Sequence, residues 1–454
     1  MSALHLFHPN EREMTAAGFG AVANVPCILN DQWEYQVDAS LYLRHRALLE
    51  ATFTDSSLVH FKAPRYPTPI SLKAFGYALV NFLEWCSAHK PILRWQEVEY
   101  TKNIIYGYQA DMLSGTWSVR RMRLSASTVN ARVGEACRFL SWAASRGLRG
   151  SFKVISSSRA IRADSGTSAV GHSLKVLVQR AGSVRPDPKE MEMPSDSEVS
   201  AWHQAVRIEK GYTKALMCEL IFDTSVRREE CAQWRVDTLP LDKGRWRVRG
   251  DEVVVTVKYG AKGQKKRDKA GELVGPSRFV SIPLELAERI AEYREFHRPR
   301  FLASYARAAK TNERRRARMN EPSKRLFISE FTGRPVSAGS IYEAWTGCSR
   351  MPFPGWSPQL GRHYWACKTL LKAARQRIRN QLPGRELESS FEDVKRTLGD
   401  VILLVIKPQL GHISVETTRI YIDWAIGMLR MSDLSDAYSE SLEAMAVTSI
   451  DQYA

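Results

Sequence analysis

Leu410-Gly411-His412-Ile413-Ser414-Val415-Glu416-Thr417-Thr418-Arg419-Ile420-Tyr421 is the most informative stretch of this 454-residue chain. Its glycine is a residue type at which helices commonly end, because glycine adopts the left-handed conformation without strain. The tyrosine then lies on the next predicted helix. Two interpretations are open at this point. Either the tyrosine ring packs in the core on an amphipathic helix, or it belongs with the histidine to a functional site that other segments complete.

The first of these other segments places two arginines at a predicted junction between helices. An apolar helix that begins near Leu216 runs into Asp223-Thr224-Ser225, and Arg227, Arg228 and Glu230 follow. A cation in the first turn of a helix is unfavourable, because that end of the helix dipole is positive. Two solvated surface arginines remain the alternative, but the unfavourable position favours a functional role.

A second arginine segment reads Trp356-Ser357-Pro358-Gln359-Leu360-Gly361-Arg362-His363-Tyr364-Trp365-Ala366-Cys367 and is predicted to begin a helix. A guanidinium is planar, permanently charged and able to bind two phosphate oxygens at once. The Gln359 amide can donate a hydrogen bond to an oxygen. It cannot shuttle protons near neutral pH as a histidine can. The segment is therefore suited to holding an anion.

A β-hairpin is predicted between the two arginine segments. The β-branched run 253–257 and the return 278–283 are typical of paired strands. A basic turn, Gly260-Ala261-Lys262-Gly263, follows the first strand. A solvated turn is the alternative for any one lysine here, and Lys262 has three competitors, namely Lys258, Lys265 and Lys266.

In this order, the segments resemble the tyrosine recombinases, the phage-integrase family of site-specific DNA recombinases. Arg227 and Glu230 match the family pattern Thr-Gly-Leu-Arg-x-x-Glu, with Ser225 in place of the usual glycine. The spacing to the glutamate selects the first of the two adjacent arginines. Arg362 matches the arginine of the pattern His-x-x-Arg-His, with Gln359 in place of the usual first histidine.

The resemblance implies a chemistry for the opening stretch. In this family a tyrosine hydroxyl attacks a DNA phosphodiester and becomes joined to the 3′ end, with no cofactor and no metal ion. A phenol titrates near pH ~10, so the phosphate must be surrounded by cations and hydrogen-bond donors. Lys262 is the best match to the lysine that protonates the leaving 5′ oxygen. The implied catalytic set is Tyr421, Arg227, Lys262, Gln359, Arg362 and His412.

The predicted fold class is mainly α with a small antiparallel β-sheet. We expect a helical core-binding domain at 38–150, which resembles the DNA clamp of the family, and a mixed α+β catalytic domain at 193–430. An N-terminal arm or extra element is expected at 1–37, and a linker at 151–192. The acidic 431–454 tail has the periodicity of an amphipathic helix. It is expected to dock on a neighbouring protomer or on its own domain.

Two helices of the core-binding domain have predicted starts. Ser71 is expected to cap the first, and Ser125 or Ser127 the second, which stops near Gly147. The arginines of this domain that are predicted to contact DNA phosphates are Arg120, Arg121, Arg123 and Arg132.

The charge balance favours a nucleic-acid partner. Lysine and arginine number 66 against 49 acidic residues, which gives a net charge of +17 at pH 7. Such a surplus suits a chain that binds a phosphate backbone, although it does not separate an enzyme from a passive binder. Basic residues cluster between Arg294 and Arg325. The residues of the catalytic domain that are predicted to contact DNA are Lys265, Lys266, Arg314, Arg315 and Arg316.

The cysteines and the apolar runs indicate the compartment. The seven cysteines are scattered without Cys-x-x-Cys spacing, which is typical of reduced thiols in a cytoplasmic protein and gives no reason to expect a metal site. No apolar run is long enough for a membrane span, and no signal pattern begins the chain.

The expected activity is DNA recombination or integration by a mobile-element enzyme. It acts on double-stranded DNA as a tetramer on paired sites, as the resemblance implies. A type IB topoisomerase or a telomere resolvase is an alternative, because it shares the chemistry. A DNA-binding protein with a decayed active site is another, and Gln359 is the main reason to consider it.

Overall fold

The structure is a computed structural model in which the chain divides into two compact units, Met1–Lys189 and Glu190–Ala454. The residues that the structure describes are 3–49, 66–162, 174–185, 191–263, 266–267, 273–320, 324–379, 396–411, 421–422 and 424–428. His412 and the 431–454 tail lie outside these ranges.

The first unit is predominantly helical. Its main elements are β1 (His5–Phe7), α1 (Glu11–Ala16), β2 (Cys27–Leu29), α2 (Val37–Leu48), α3 (Pro69–Ser87), a π-helical segment (Tyr100–Gln109) that continues into α4 (Ala110–Ser114), α5 (Ala126–Ser145), β3 (Ser156–Arg162) and β4 (Leu174–Arg180). Helices α2, α3 and α5 pack on one another. Buried aromatic rings fill the space between them, and these are Tyr42, Phe82, Trp85, Phe139 and Trp142. Their burial stabilises this unit through the hydrophobic effect.

The start of α3 differs from the sequence prediction. Thr68 is the N-cap, and its hydroxyl accepts a hydrogen bond from the main-chain N of Ser71 at 3.2 Å. Pro69 occupies the first turn, where its missing N–H leaves no bond unmade. The prediction of Ser71 is wrong by three positions, because the proline extends the helix back to an earlier cap. Helix α5 follows Ser125, one of its two predicted caps.

An antiparallel hairpin lies in the segment predicted as a linker. Ser156 of β3 pairs with Arg180 of β4, and Arg162 pairs with Leu174. Strand β4 has the apolar, β-branched composition of a strand, whereas the serine-rich β3 has low strand propensity. Pairing with β4 therefore forms β3, which a sequence pattern does not reveal.

The second unit combines helices with small antiparallel sheets. Its main elements are α6 (Asp196–Lys210), α7 (Tyr212–Thr224), α8 (Arg228–Ala232), β5 (Arg247–Arg249), β6 (Glu252–Val257), β7 (Lys266–Arg267), β8 (Leu273–Val274), β9 (Arg278–Pro283), α9 (Leu284–Glu292), α10 (Arg298–Arg307), α11 (Asn312–Asn320), α12 (Ala338–Thr346), α13 (Pro358–Arg379) and α14 (Lys407–Leu410). Together with the first unit, these elements confirm the predicted fold class, mainly α with small antiparallel sheets.

The predicted hairpin forms two strands of a three-stranded sheet with the order β5-β6-β9. Strands β6 and β9 are antiparallel, with Glu252 opposite Pro283 and Val257 opposite Arg278. Val253, Val255 and Val257 alternate as the buried residues of β6, as a half-buried strand requires. This register places Arg278 at the start of the returning strand, beside the end of β6.

Helix α7 is the central helix of this unit. Nine of its 13 residues are buried, so it is apolar around most of its circumference, as a core helix must be. It packs against α6, α13 and β9. Trp202 lies next to it and packs against Trp345 in a tilted arrangement and against Trp356 edge to face, with ring centroids 4.4 and 5.8 Å away. This burial fixes the position of the end of α7, where the candidate site begins.

Among the described helices, none has both the length and the apolar character needed to cross a bilayer. All seven cysteines are free thiols, and six of them are buried.

Candidate active site

The candidate site begins at the tight turn between α7 and α8. Ser225 ends α7 with φ 58° and ψ 23°, in the left-handed region. Residues with a Cβ enter this region only at a cost in energy. Arg227 then returns to an extended conformation and is the N-cap of α8. The position at which the family pattern has glycine is therefore the position at which the backbone favours glycine.

Glu230 fixes both the main chain and the side chain of Arg227. Its Oε2 accepts a hydrogen bond from the Arg227 main-chain N at 2.7 Å, and its Oε1 accepts one from Nη1 at 3.1 Å. The second guanidinium nitrogen, Nη2, donates to the main-chain oxygen of Gly411 at 3.3 Å. The guanidinium of Arg228 instead lies over the Tyr342 ring, 5.4 Å from its centroid. Of the two adjacent arginines, Arg227 is the one that reaches the end of α14.

Arg278 is a third arginine of this cluster, which the sequence analysis missed. Its Nη2 and Nε donate to Oε2 and Oε1 of Glu230 at 2.6 and 3.3 Å, and its Nη1 donates to the main-chain oxygen of Gln409. Burial opposes the ionisation of Glu230, but the charges of Arg278 and Arg227 and their hydrogen bonds outweigh it and lower the pKa of this carboxyl. The available signal was a cation at the start of an otherwise apolar strand.

Gln409 ties the end of α14 to α7 and to β9. Its Nε2 donates to the main-chain oxygens of Thr224 and Ser281 at 2.9 and 2.8 Å, and its Oε1 accepts from the Ser281 N–H at 2.9 Å. A buried amide with three hydrogen bonds rigidifies its surroundings. Its partners lie 128 and 185 residues away in the chain, so the local sequence gave no signal for this role.

Gly411 ends α14 in the left-handed conformation, with φ 62°, as the sequence predicted. A Cβ at this position would lie 2.8 Å from Cδ of Arg278 and 3.5 Å from Nη1 of Arg227. Glycine is thus favoured by the backbone conformation and by the close approach of two arginines.

Arg362 lies buried in α13 and points at the same helix end. Its Nη2 donates to the main-chain oxygen of Leu410 at 3.1 Å, and its Nη1 donates to that of Ser225. Burial, and then the charge of Arg227, lower the pKa of Arg362 to about 9. Within the described part of the chain, Arg362 Nε and Ser225 Oγ are buried without a hydrogen-bond partner. Each of these two donors therefore lacks an acceptor among the described residues.

Tyr421 is fully buried and its hydroxyl is hydrogen-bonded to His363. The distance from the hydroxyl oxygen to Nδ1 is 2.6 Å. Burial raises the pKa of the Tyr421 phenol above its usual value, although the charge of Arg362 opposes this. Burial and the charge of Arg362 lower the pKa of His363 to about 4. At neutral pH the phenol therefore keeps its proton and the imidazole is a neutral acceptor.

Gln359 contacts the same imidazole. It is exposed on the first turn of α13, and its amide nitrogen lies 3.2 Å from Nε2 of His363. The residue that departs from the family pattern thus lies against the ring that holds the tyrosine.

Lys262 is exposed on the turn that follows β6. This turn packs closely on the start of α8, because a Cβ at Gly260 would lie 2.4 Å from the main-chain oxygen of Glu229. The ammonium of Lys258 lies over the Tyr259 ring, 5.3 Å from its centroid. Lys265 lies outside the described residues, and of Lys266 only the main chain is described.

The arginines predicted to contact DNA from the first unit differ in their surroundings. Arg120, Arg121 and Arg123 are exposed on the loop before α5. Arg132 is half-buried, and its Nη1 donates to Oδ1 of Asn81 at 3.0 Å. This bond connects α5 with α3, so Arg132 also has a structural role.

The basic stretch 294–325 contains structural as well as exposed arginines. Arg294 is buried and donates to the main-chain oxygens of Val236 and Leu239 at 3.1 and 2.7 Å. Arg298 donates to the main-chain oxygen of Arg325 at 3.2 Å. The members predicted to contact DNA are exposed on α11, and these are Arg314, Arg315 and Arg316.

Comparisons with known proteins found similar solved structures. No family model matches the chain, and no curated protein matches it. XerH site-specific recombinase bound to palindromic difH substrate is 12% identical, with a TM-score of 0.47, over 80% of this chain and 79% of that chain. The Tn1549 transposon integrase in complex with circular intermediate DNA is 12% identical, with a TM-score of 0.43, over 86% of this chain and 98% of that chain. XerA recombinase is 14% identical, with a TM-score of 0.31, over 87% and 98% of the two chains.

Proposed function

We propose that the chain is a site-specific DNA recombinase of the tyrosine type, which cleaves and rejoins DNA strands through a 3′-phosphotyrosine intermediate. The observation that carries this proposal is the convergence of two arginines at the end of α14. Arg227 and Arg362 donate to the successive main-chain oxygens of Gly411 and Leu410. They come from segments 135 positions apart in the numbering (362 − 227). Both of these contacts are to neutral carbonyl oxygens, which do not balance the charge of either guanidinium.

The arrangement suits attack on a phosphodiester. Tyr421 supplies the nucleophilic oxygen, and Arg227 and Arg362 bind the non-bridging oxygens, where negative charge increases in the transition state. Arg362 Nε and Ser225 Oγ are buried donors that lack a partner among the described residues. Lys262 gives a proton to the leaving 5′ oxygen. The phosphotyrosine keeps the energy of the cleaved bond, so rejoining requires neither ATP nor a metal ion.

The proposed substrate is double-stranded DNA held by both units. The exposed arginines before α5 and on α11 are positively charged surfaces for phosphates. We propose that four protomers assemble on two paired duplexes and that the 431–454 tail joins neighbouring protomers. Integration by a mobile element is the expected biological use.

A covalent trapping experiment tests the proposal. The substrate is a pool of duplexes with randomised sequence, each of which carries a nick close to the cleavage position. After cleavage the short fragment beyond the break dissociates, so the strand cannot be rejoined. The expected product is a protein–DNA adduct that survives denaturing electrophoresis and maps by peptide sequencing to Tyr421.

Tyr421→Phe should abolish the adduct and leave DNA binding intact, whereas Tyr342→Phe is the matched control and should retain it. An adduct at another residue, or none, contradicts the proposal. Relaxation of supercoiled DNA without strand exchange between sites would instead indicate a topoisomerase.

A further inference from the structure

The partner of the nucleophile is a residue to which the family resemblance assigns no role. The Tyr421 hydroxyl lies 2.6 Å from Nδ1 of His363, and the two ring centroids are 5.4 Å apart. His363 is the residue directly after Arg362 on α13. A hydroxyl proton at this distance can pass to the imidazole without a bridging water.

The state of the imidazole ring follows from its neighbours. The ring faces Arg362 and Gln359 from its own helix and Tyr421 from the helical residues 421–422, and Cys367 lies near the phenol. Burial and the charge of Arg362 lower the pKa of His363 to about 4, so the ring is neutral. A neutral ring that accepts at Nδ1 carries its hydrogen on Nε2.

Gln359 is suited to stabilise this tautomer. Its amide lies 3.2 Å from Nε2 of His363. The oxygen and nitrogen of a glutamine amide are interchangeable in placement, and an Nε2–H group selects the orientation in which the amide oxygen accepts its hydrogen. The arrangement Tyr421–His363–Gln359 then has the order of a nucleophile, a base and a residue that orients the base.

We propose that His363 accepts the proton of Tyr421 during strand cleavage, and that Gln359 is the positioning residue that keeps Nδ1 free to accept it. The inference rests on the proposed recombinase function. The bond from Tyr421 Oη to phosphorus forms as the Oη proton moves to His363 Nδ1. The bond from phosphorus to the 5′ oxygen breaks, and that oxygen takes a proton from the general acid. Rejoining returns the proton from Nδ1 to Tyr421 Oη.

The proposal gives a chemical reason for the glutamine. A titratable ring at position 359 would compete with His363 for the same proton, whereas an amide has no proton to exchange near neutral pH. Where the family pattern has a histidine, this chain has Gln359, and the proposed base, His363, lies one turn further along α13. The glutamine is therefore compatible with an active site.

The test compares His363→Asn with wild type in single-turnover cleavage of a trapped nicked duplex. Asparagine keeps an acceptor near the position of Nδ1 but cannot take the proton. We expect the cleavage rate to fall on the order of 10²-fold or more, with unchanged DNA binding. The rate of the variant should then rise with pH across pH 6–9, where wild type is nearly constant. A fluorinated, more acidic tyrosine at position 421 should raise the cleavage rate of the variant by a larger factor than it raises the rate of wild type.

Gln359 variants test the positioning role separately. Gln359→Ala should lower the cleavage rate by about tenfold without changing binding, and Gln359→Glu, which keeps an acceptor for Nε2–H, should lower it less. Wild-type or faster cleavage by His363→Asn, or a loss that the acidic tyrosine does not restore, overturns the inference and leaves His363 as a packing residue. Failure of wild type itself to form an adduct at Tyr421 overturns the proposed function instead, so the two failures are distinguishable.

Discussion

Arg278 binds Glu230 through two hydrogen bonds, from Nη2 to Oε2 at 2.6 Å and from Nε to Oε1 at 3.3 Å. The carboxylate is buried, and the same group orients Arg227. Arg278 thus acts on Arg227 indirectly, by holding the carboxylate that orients it.

Arg278→Ala should destabilise the protein strongly. It leaves the buried charge of Glu230 with Arg227 alone, and removal of one partner of a buried pair costs up to about 3–5 kcal/mol of unfolding free energy. We expect a loss of roughly 2–4 kcal/mol, because one partner remains. A urea titration followed by tryptophan fluorescence measures it. Arg245→Ala is the control, since Arg245 and Asp242 form an exposed pair that should contribute less than about 1 kcal/mol. Equal small losses would show that the buried pair is not a determinant of stability.

Ser225→Gly should raise the thermal midpoint. The left-handed conformation of Ser225 costs about 1–2 kcal/mol for a residue with a Cβ, and the greater entropy of glycine in the unfolded chain offsets part of the gain. We expect the free energy of unfolding to increase by roughly 0.5–1 kcal/mol, which raises the thermal midpoint. Ser225→Ala keeps the Cβ and removes only the hydroxyl, so it should be less stable than the glycine variant. The opposite order, measured by calorimetry, would contradict the assigned strain.

Arg227→Ala and Arg362→Ala should each slow strand cleavage by on the order of 10²-fold or more, the scale expected for loss of a donor to the transition state. Arg228→Ala is the matched control, because its guanidinium lies over the Tyr342 ring and not at the end of α14. Single-turnover adduct formation distinguishes them. A slow cleavage rate for Arg228→Ala together with a normal rate for Arg227→Ala would assign the catalytic role to Arg228 instead.

Lys262→Ala should cleave slowly on a normal phosphodiester and recover on a substrate whose leaving 5′ oxygen is replaced by sulfur. A thiolate leaves without needing a proton, so the general acid becomes dispensable. The recovery is measured as the ratio of the cleavage rates on the sulfur-substituted and the normal substrate. Lys258→Ala is measured in the same way for comparison. Recovery at Lys258 and none at Lys262 would assign the general acid to Lys258.

Acid should destabilise the protein through His363. Burial lowers the pKa of His363 from its usual 6.5 to about 4, so between these pH values the unfolded chain binds more protons and stability falls as pH falls. A shift from 6.5 to about 4 corresponds to about 3 kcal/mol, which is lost progressively below pH 6.5 and fully lost below pH 4. Urea titrations at pH 7.5 and 4.5 should show a smaller decrease for His363→Asn than for wild type. His203 also has a lowered pKa but is present in both proteins, so it cancels. Equal decreases would exclude His363 as the cause.

The sequence predicted those parts of the site that depend on local patterns. Arg227 and Glu230 are three positions apart, a spacing that one helical turn explains, and Gly411 ends its helix as its residue type indicates. The roles of Arg278 and Gln409 depend on partners brought together by the tertiary structure, so no local pattern contained them. The contact of His363 with Tyr421 was missed for the same reason. In the first unit, Ser71 was predicted to cap α3, but the helix begins three residues earlier because Pro69 fits its first turn.

The end of α14 has a consequence for ligand selectivity. The arginines that reach it already have acceptors inside the chain, the main-chain oxygens of Leu410 and Gly411. Any anion that takes both guanidiniums must compete with these carbonyls, so anion binding and the position of the segment leading to Tyr421 are linked equilibria. On the proposed function, a duplex brings contacts along its backbone that a free phosphate lacks. We therefore expect selectivity against small anions to depend on the carbonyl groups of this helix end as well as on the arginines.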